Sequence, residues 1–172
     1  NILSEETYYD IVANNPNKDK NKTAYSYIYK RQDEALQEAW NNFKAKPVKK
    51  LEKEFEHFKR ESDFWLDKDS LYEALSIEYG NDYWPMWNSE MDKNLFNPQS
   101  NEERMKYGDR IREIESKYSN EIELYKFTQF IISKQNEETR KFAKKHGIKM
   151  IADRQVAFSD RDCWAYQSLF LK

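Results

Sequence analysis

Residues 148–153 read Ile148-Lys149-Met150-Ile151-Ala152-Asp153 and follow directly on a glycine, Gly147. A short run with two β-branched isoleucines, set between a helix stop and a polar stretch, has the length and composition of a buried β-strand. No other part of the chain offers a convincing strand to lie beside it. A strand by itself cannot satisfy its backbone N–H and C=O groups. Either the segment is not a strand, or the strands beside it lie outside these 172 residues. The second reading makes the chain an internal piece of a larger α/β protein, and it agrees with a sequence that opens on Asn1 rather than Met.

Outward from that segment the pattern is helical. Upstream, Ile122, Leu124, Phe127, Phe130, Ile131, Phe142 and Ala143 give a long amphipathic helix from about Asn120 to His146, closed by Gly147 in the left-handed cap position. Before it, Ser100-Asn101-Glu102-Glu103 has the form of a capping box and predicts a helix over 101–118 with Met105, Ile111, Ile114 and Tyr118 inward. The aromatic knot Tyr83-Trp84-Pro85-Met86-Trp87 follows Gly80, the expected stop of a helix carrying Leu71, Ala74, Leu75 and Tyr79. A separate helix is expected from Pro47, with Val48, Leu51, Phe55 and Phe58 on one face. Another runs from Ala24 to Lys44 on a stripe of Tyr25, Ile28, Ala35, Leu36, Ala39, Trp40 and Phe43. The polar run Asn14–Lys22 separates it from a first short helix capped by Ser4 and ending near Ala13.

Composition narrows the function classes. With 29 Lys+Arg against 31 Asp+Glu, there is no clustered positive excess of the kind that nucleic acid or an anionic membrane surface selects. Aromatic residues form 16% of the chain, too many for a disordered tail. Three glycines and four prolines argue against a Gly-rich phosphate loop or a turn-rich sandwich. The lone Cys163 cannot form an internal disulfide, no apolar run approaches the roughly 20 residues of a membrane span, and a reducing, cytoplasmic setting is expected.

Few residues stand out as chemistry. His57 and His146 belong to no metal-ligand cluster and are expected at the surface, and Cys163 has no His or Asn partner in a nucleophile signature. The run Lys49-Lys50-Leu51-Glu52-Lys53-Glu54 alternates in sign, as a solvated helix face does. Tyr83, Trp84 and Trp87 could stack on a sugar ring, but packing between helices is the reading their position favours. The stretch from Asp153 through Arg154, Gln155, Ser159 and Asp160 to Asp162 crowds polar groups at the C-terminal end of the expected strand, where α/β barrels place ligand-binding residues. A charged loop with Ser159 or Asp160 capping the next turn is the alternative.

Taken together, several of these residues resemble a known family. Phe127-Thr128-Gln129-Phe130, Gln135, Ala143, Gly147-Ile148, Ile151-Ala152-Asp153 and Asp162-Cys163-Trp164-Ala165-Tyr166-Gln167-Ser168-Leu169-Phe170 are similar to the 4-alpha-glucanotransferases (amylomaltases) of glycoside hydrolase family 77. That family has a Phe-x-Gln-Phe helix, a second Gln, a Gly-Ile turn, a strand ending in Gly-Asp, and Asp-Val-Trp-Ala followed by Leu-Phe. Less specifically, Tyr25 to Lys44, Trp65-Leu66 and Leu71-Tyr72-Glu73-Ala74-Leu75 resemble its helical prefix. Ala152 stands for the usual Gly, Arg154-Gln155 for Ile-Pro, and the span from Asp153 to Asp162 is shorter than in the family pattern.

The resemblance implies a mainly α chain: a helical insertion region plus one strand of an incomplete (β/α)8 barrel. It divides the chain into a helical insertion subdomain, 1–119, and the long helix, strand and following loop of the barrel, 120–172. It implies transfer of α-1,4-glucan segments between maltooligosaccharides by a retaining mechanism, with the catalytic carboxylates beyond Lys172 and no cofactor or metal. Substrate binding is expected from Asp153, Arg154, Gln155, Asp162 and Trp164, the last two, in the following loop, being more structural than catalytic. A nonenzymatic helical interaction module is the rival reading, since amphipathic helices with balanced charge also serve assemblies.

Overall fold

The computed structural model describes residues 2–151 and 157–170. Its regular structure is helical, with no strand among the described residues. By mutual contact the chain divides into two compact units, residues 1–57 and 58–172.

The first unit holds α1 (Glu5–Ala13), α2 (Tyr25–Ala45) and the opening turns of α3 (Lys49–Tyr79). Ser4 Oγ caps α1 by accepting the Thr7 N–H at 3.1 Å, and Glu5 and Glu6 sit where the helix dipole favours negative charge. No residue of α1 is buried. Polar ties hold it to α2 instead: the Ser4 amide and the Thr7 hydroxyl donate to the two oxygens of Glu38, Tyr27 Oη donates to the Ile11 carbonyl at 2.8 Å, and Arg31 pairs with Asp10. The apolar core of this unit is small, formed by Ala39, Trp40 and Phe43 of α2 with Phe55 of α3. Phe55 meets Trp40 and Phe43 edge-on, with ring centroids 6.4 and 5.9 Å apart. The N-terminal half of the expected α2 stripe is not buried. Tyr25 and Ile28 are exposed, because α1 meets α2 through hydrogen bonds rather than through an apolar face.

Helix α3 corrects a second expectation, since one helix of 31 residues replaces the two expected, one carrying Val48 to Phe58 and the other Leu71 to Tyr79. Residues 59–70 contain neither Gly nor Pro to end a helix, and the inward face continues through the small buried residues Ser62 and Ser70 around Leu66. Gly80 closes the helix at φ +60, with Gly80 N–H on the Ile77 carbonyl and Asn81 N–H on the Ser76 carbonyl.

The second unit packs α3 with α4 (Glu90–Lys93), α5 (Asn101–Lys117), α6 (Ser119–Lys145) and α7 (Asp160–Ala165). Leu71, Tyr72, Ala74, Leu75, Trp87, Leu95, Ile114, Ile122, Trp164 and Ala165 form its core. Trp87, from the aromatic knot, is 1% exposed and stacks on Tyr79 at 5.2 Å while meeting Trp164 edge-on, so packing takes this ring out of reach of a sugar. Ser100 caps α5 through the Glu103 N–H at 3.1 Å, with Glu103 reaching back to the Gln99 amide at 2.6 Å. Ile114 is buried as expected, but Met105, also expected inward, is 74% exposed, and the other buried residue of α5 is Arg110.

Arg110 is the polar centre of this unit. Its Nε and Nη2 both donate to the Asp92 carboxylate at 3.0 Å, Nη2 also reaches Glu78 at 2.8 Å, and Nη1 reaches Glu113 at 2.8 Å. Asp92 is 1% exposed and also accepts the Tyr79 hydroxyl at 2.6 Å. Burial, reinforced by that carboxylate, pushes the Tyr79 hydroxyl up to about 12. Burial alone would raise Glu78, but the Arg110 and Lys117 bonds outweigh it and hold its carboxyl below the usual range.

At residues 148–151 structure and expectation part. Residues 148–151 are not in a strand, and Ile151 is 95% exposed; Ala152 and Asp153 lie outside the described residues. The physical reason is local. Gly147, at φ +67, ends α6 in a left-handed cap in which the Ile148 N–H turns back to the Ala143 carbonyl at 2.9 Å. The first residue of the segment is thereby spent on the helix, and no described strand stands beside the others.

Candidate functional site

The polar stretch singled out in the sequence runs into α7. Asp153, Arg154 and Gln155 lie outside the described residues. The other two expected site residues, Asp162 and Trp164, are both on α7. Ser159 Oγ accepts the Asp162 N–H at 3.1 Å, and the Asp162 carboxylate accepts from the Ser159 amide and hydroxyl, a reciprocal cap. Trp164 is 1% exposed, and its indole N–H donates to the Asp92 carbonyl at 2.8 Å. The structure thus brings Asp162 and Trp164 together as the start and the anchor of one short helix.

A six-residue helix is unstable without outside contacts, and α7 is held at both ends. Toward its C-terminus, Lys68 Nζ donates to the Ala165 carbonyl at 3.2 Å while lying 3.9 Å from the Tyr166 ring centroid. Gln167 Nε2 donates to the Lys93 carbonyl at 2.5 Å, and Tyr166 Oη to the Phe64 carbonyl at 3.1 Å. Burial shifts the Lys68 ammonium below its usual range.

The N-terminal turn is held by Arg161. Its Nη2 donates to Glu73 on α3 at 3.1 Å, and its Nη1 donates to Tyr125 Oη on α6 and lies 3.9 Å from Asp69 on α3. The guanidinium also lies over two rings, 5.3 Å from the Tyr72 centroid and 5.1 Å from that of Tyr125. Burial raises the Asp69 carboxyl, with the Arg161 charge opposing the shift, and burial likewise raises Tyr125. In the sequence Arg161 is simply one charge in a polar stretch. The available signal was a pair of acids one helical turn apart, Asp69 and Glu73, flanking Tyr72 on an otherwise apolar face.

Other chemistry is sparse. Among the described residues no group of three or more His, Cys, Asp or Glu could hold a metal ion, and no helix is long and apolar enough to cross a membrane. His57 is exposed, and His146, also exposed, lies with its ring centroid 4.3 Å from that of Phe142.

What these features define is a helical scaffold that docks an Asp-x-Trp turn. The family model described as 4-alpha-glucanotransferase, that of glycoside hydrolase family 77, matches residues 4–172, and the chain belongs to that family. It is 27% identical to a 4-alpha-glucanotransferase of Clostridium butyricum over 99% of this chain, and 26% identical to one of Thermus thermophilus over 98%. Against one of Aquifex aeolicus it is 25% identical over 85% of this chain. The matched regions cover 32%, 31% and 27% of those relatives, so the chain spans less than a third of their length.

Proposed function

We propose that this chain is a helical portion of a 4-alpha-glucanotransferase that moves α-1,4-glucan segments between maltooligosaccharides. The observation that carries the reading is the family match over residues 4–172. In a retaining mechanism a carboxylate attacks the anomeric carbon and forms a glycosyl-enzyme, while a carboxylic acid gives its proton to the departing sugar oxygen. The 4-hydroxyl of an acceptor glucan then displaces the carboxylate and returns the proton to the acid. That exchange needs carboxylates and exclusion of water, and calls for no metal or organic cofactor. We place the two carboxyl groups outside residues 1–172.

Within the chain, the proposal divides a helical insertion, 1–119, from a barrel portion, 120–172. Residues 148–153 would pair as a strand once neighbouring barrel strands stand beside them. Asp153, Arg154 and Gln155, at the end of that strand, would then contact glucan hydroxyls, with Asp162 and Trp164 fixing the end of their loop. A cytoplasmic location goes with this reading, on the ground of the single cysteine.

The test is disproportionation of maltotriose. The complete protein should release glucose and form longer oligosaccharides, and residues 1–172 alone should do neither. Transfer by residues 1–172 alone would overturn the placement of the carboxylates, and no transfer by the complete protein would overturn the function.

A further inference from the structure

We propose that α7 is an electrostatic clasp: its N-terminal turn, residues 158–163, is hinged at Trp164, held shut by Arg161, and opens from α3 and α6 while the rest of the second unit stays folded. The clasp is independent of the glucanotransferase reading given above. Its two ends are held by different forces. At the C-terminal end Trp164 is 1% exposed, and its ring centroid lies 5.4, 5.8 and 5.1 Å from those of Tyr72, Trp87 and Phe96. Its indole bonds the Asp92 carbonyl, and Lys68, Tyr166 and Gln167 add ties to the residues beside it. Ionic screening does not weaken apolar burial of this kind. The N-terminal end has no such anchor. Phe158, Ser159 and Asp160 are exposed, and Phe158 meets only Phe170, edge-on at 4.9 Å, at the far end of the same segment. Ser159 and Asp162 bind one another. Among the described residues, the side-chain hydrogen bonds from residues 158–163 to other helices all come from Arg161, to Glu73 and Tyr125.

That tie is ionic and partly wet. The Arg161 and Glu73 side chains keep 29% and 40% of their surface in water, so dissolved salt screens the pair. The closed turn also carries a cost, because Arg161 Nε is buried with no acceptor among the described residues, and opening returns that donor to water. A helix of six residues gains little from its own backbone bonds, so once Arg161 lets go nothing local keeps the turn in place. The turn therefore opens at a lower free energy than the core that surrounds Trp164.

The experiment is hydrogen exchange at single-residue resolution by mass spectrometry, on the complete protein, for wild type, Arg161→Ala, Arg161→Lys and Lys126→Ala. The Cys163 N–H, which donates to the Ser159 carbonyl at 3.0 Å, reports the N-terminal turn. The Leu169 N–H, on the Tyr166 carbonyl at 2.9 Å, reports the residues beyond the hinge, and Leu75, wholly buried on α3, reports the core. In wild type, Cys163 should exchange faster than Leu75 and speed up severalfold between about 20 and about 500 mM sodium chloride. Arg161→Ala should speed Cys163 about tenfold at low salt and abolish the salt effect, while Leu169 and Leu75 keep their wild-type rates. Arg161→Lys keeps the charge without the fork and should retain part of the protection. Lys126 pairs with Asp67 at 2.5 Å, an ion pair that joins α6 to α3 and leaves α7 untouched, so Lys126→Ala should leave Cys163 unchanged. A wild-type Cys163 rate in Arg161→Ala overturns the clasp. So does an acceleration shared equally by Leu75, which would make Arg161 a support of the whole unit. Should Arg161→Ala not fold, the salt series on wild type carries the test, and a Cys163 rate indifferent to salt overturns the proposal. Exchange requires no glucan transfer, so failure of the clasp and failure of the glucanotransferase reading show separately.

Discussion

At the scale of single residues, the second unit depends on one buried pair. Asp92 and Arg110 are almost wholly withdrawn from water, and each is satisfied by the other together with Tyr79, Glu78 and Glu113. Replacing one member leaves the other charged and buried. Arg110→Met should therefore lower stability by about 3–5 kcal/mol, read from urea unfolding, and a loss under about 1 kcal/mol would show that Asp92 finds another partner or water. Trp164→Ala removes a core ring together with its bond to the Asp92 carbonyl and should cost about 3–5 kcal/mol in the same measurement. A smaller loss would mean that α7 stays docked without its indole. These residues were unequally legible. Trp164 stood out because it falls in a recognisable family motif. Asp92 and Arg110 lie 18 positions apart on separate helices, and nothing in local spacing links an acid and a base that only the tertiary fold brings together.

At the scale of elements, starts and stops were written locally and could be read. Ser4 and Ser100 open α1 and α5 through side-chain caps, and Gly80 and Gly147 close α3 and α6 in left-handed conformations. The glycines give a direct contrast. A Cβ at Gly147 meets nothing within 4 Å, so Gly147→Ala should cost only the backbone penalty, about 1–2 kcal/mol. Gly108 lies inside α5 without positive φ, and a Cβ there meets Arg112 at an ordinary 3.7 Å, so Gly108→Ala should stabilise by up to about 1 kcal/mol. Thermal unfolding of the two variants should show shifts of opposite sign. What could not be read was which apolar positions find a neighbour. Tyr25, Ile28 and Met105 keep helical spacing yet stay exposed, since periodicity gives the face of a helix and not what lies opposite it.

Helix α1 adds a pH dependence at the same scale. The Thr7 hydroxyl, then the Ser4 amide and hydroxyl, hold the Glu38 carboxyl below its usual value of 4.5. A depressed folded-state value means that its contribution is fully present above the unfolded value and is lost as pH falls through the folded one. Backbone NMR shifts of residues 5–13 should therefore move toward coil as pH drops below 4.5, and Glu38→Gln should show a loosened α1 already at neutral pH. A variant whose α1 shifts match the wild type would contradict the role given to Glu38.

At the scale of the whole molecule, two compact units of helices carry a family identity that spans nearly the full chain, over less than a third of the length of its relatives. The helical class was legible because amphipathic periodicity and caps are local. The expected strand at 148–153 was legible only as composition. A strand exists through its neighbours, and among the described residues none is present, so Ile148 closes a helix and Ile151 is left exposed. The polar stretch from Asp153 could be marked as a candidate site, but the bonds of Arg161 to Glu73 and Tyr125 depend on α3 and α6, far away in sequence.

In the proposed function these residues scaffold a glucan-transferring enzyme whose reacting carboxylates stand elsewhere in the protein. The most direct measurement is a chromatographic analysis of maltotriose incubated in parallel with residues 1–172 and with the complete protein. Glucose and longer maltooligosaccharides are expected from the complete protein and unchanged maltotriose from residues 1–172. Longer products from residues 1–172 alone, or unchanged maltotriose in both, would contradict it.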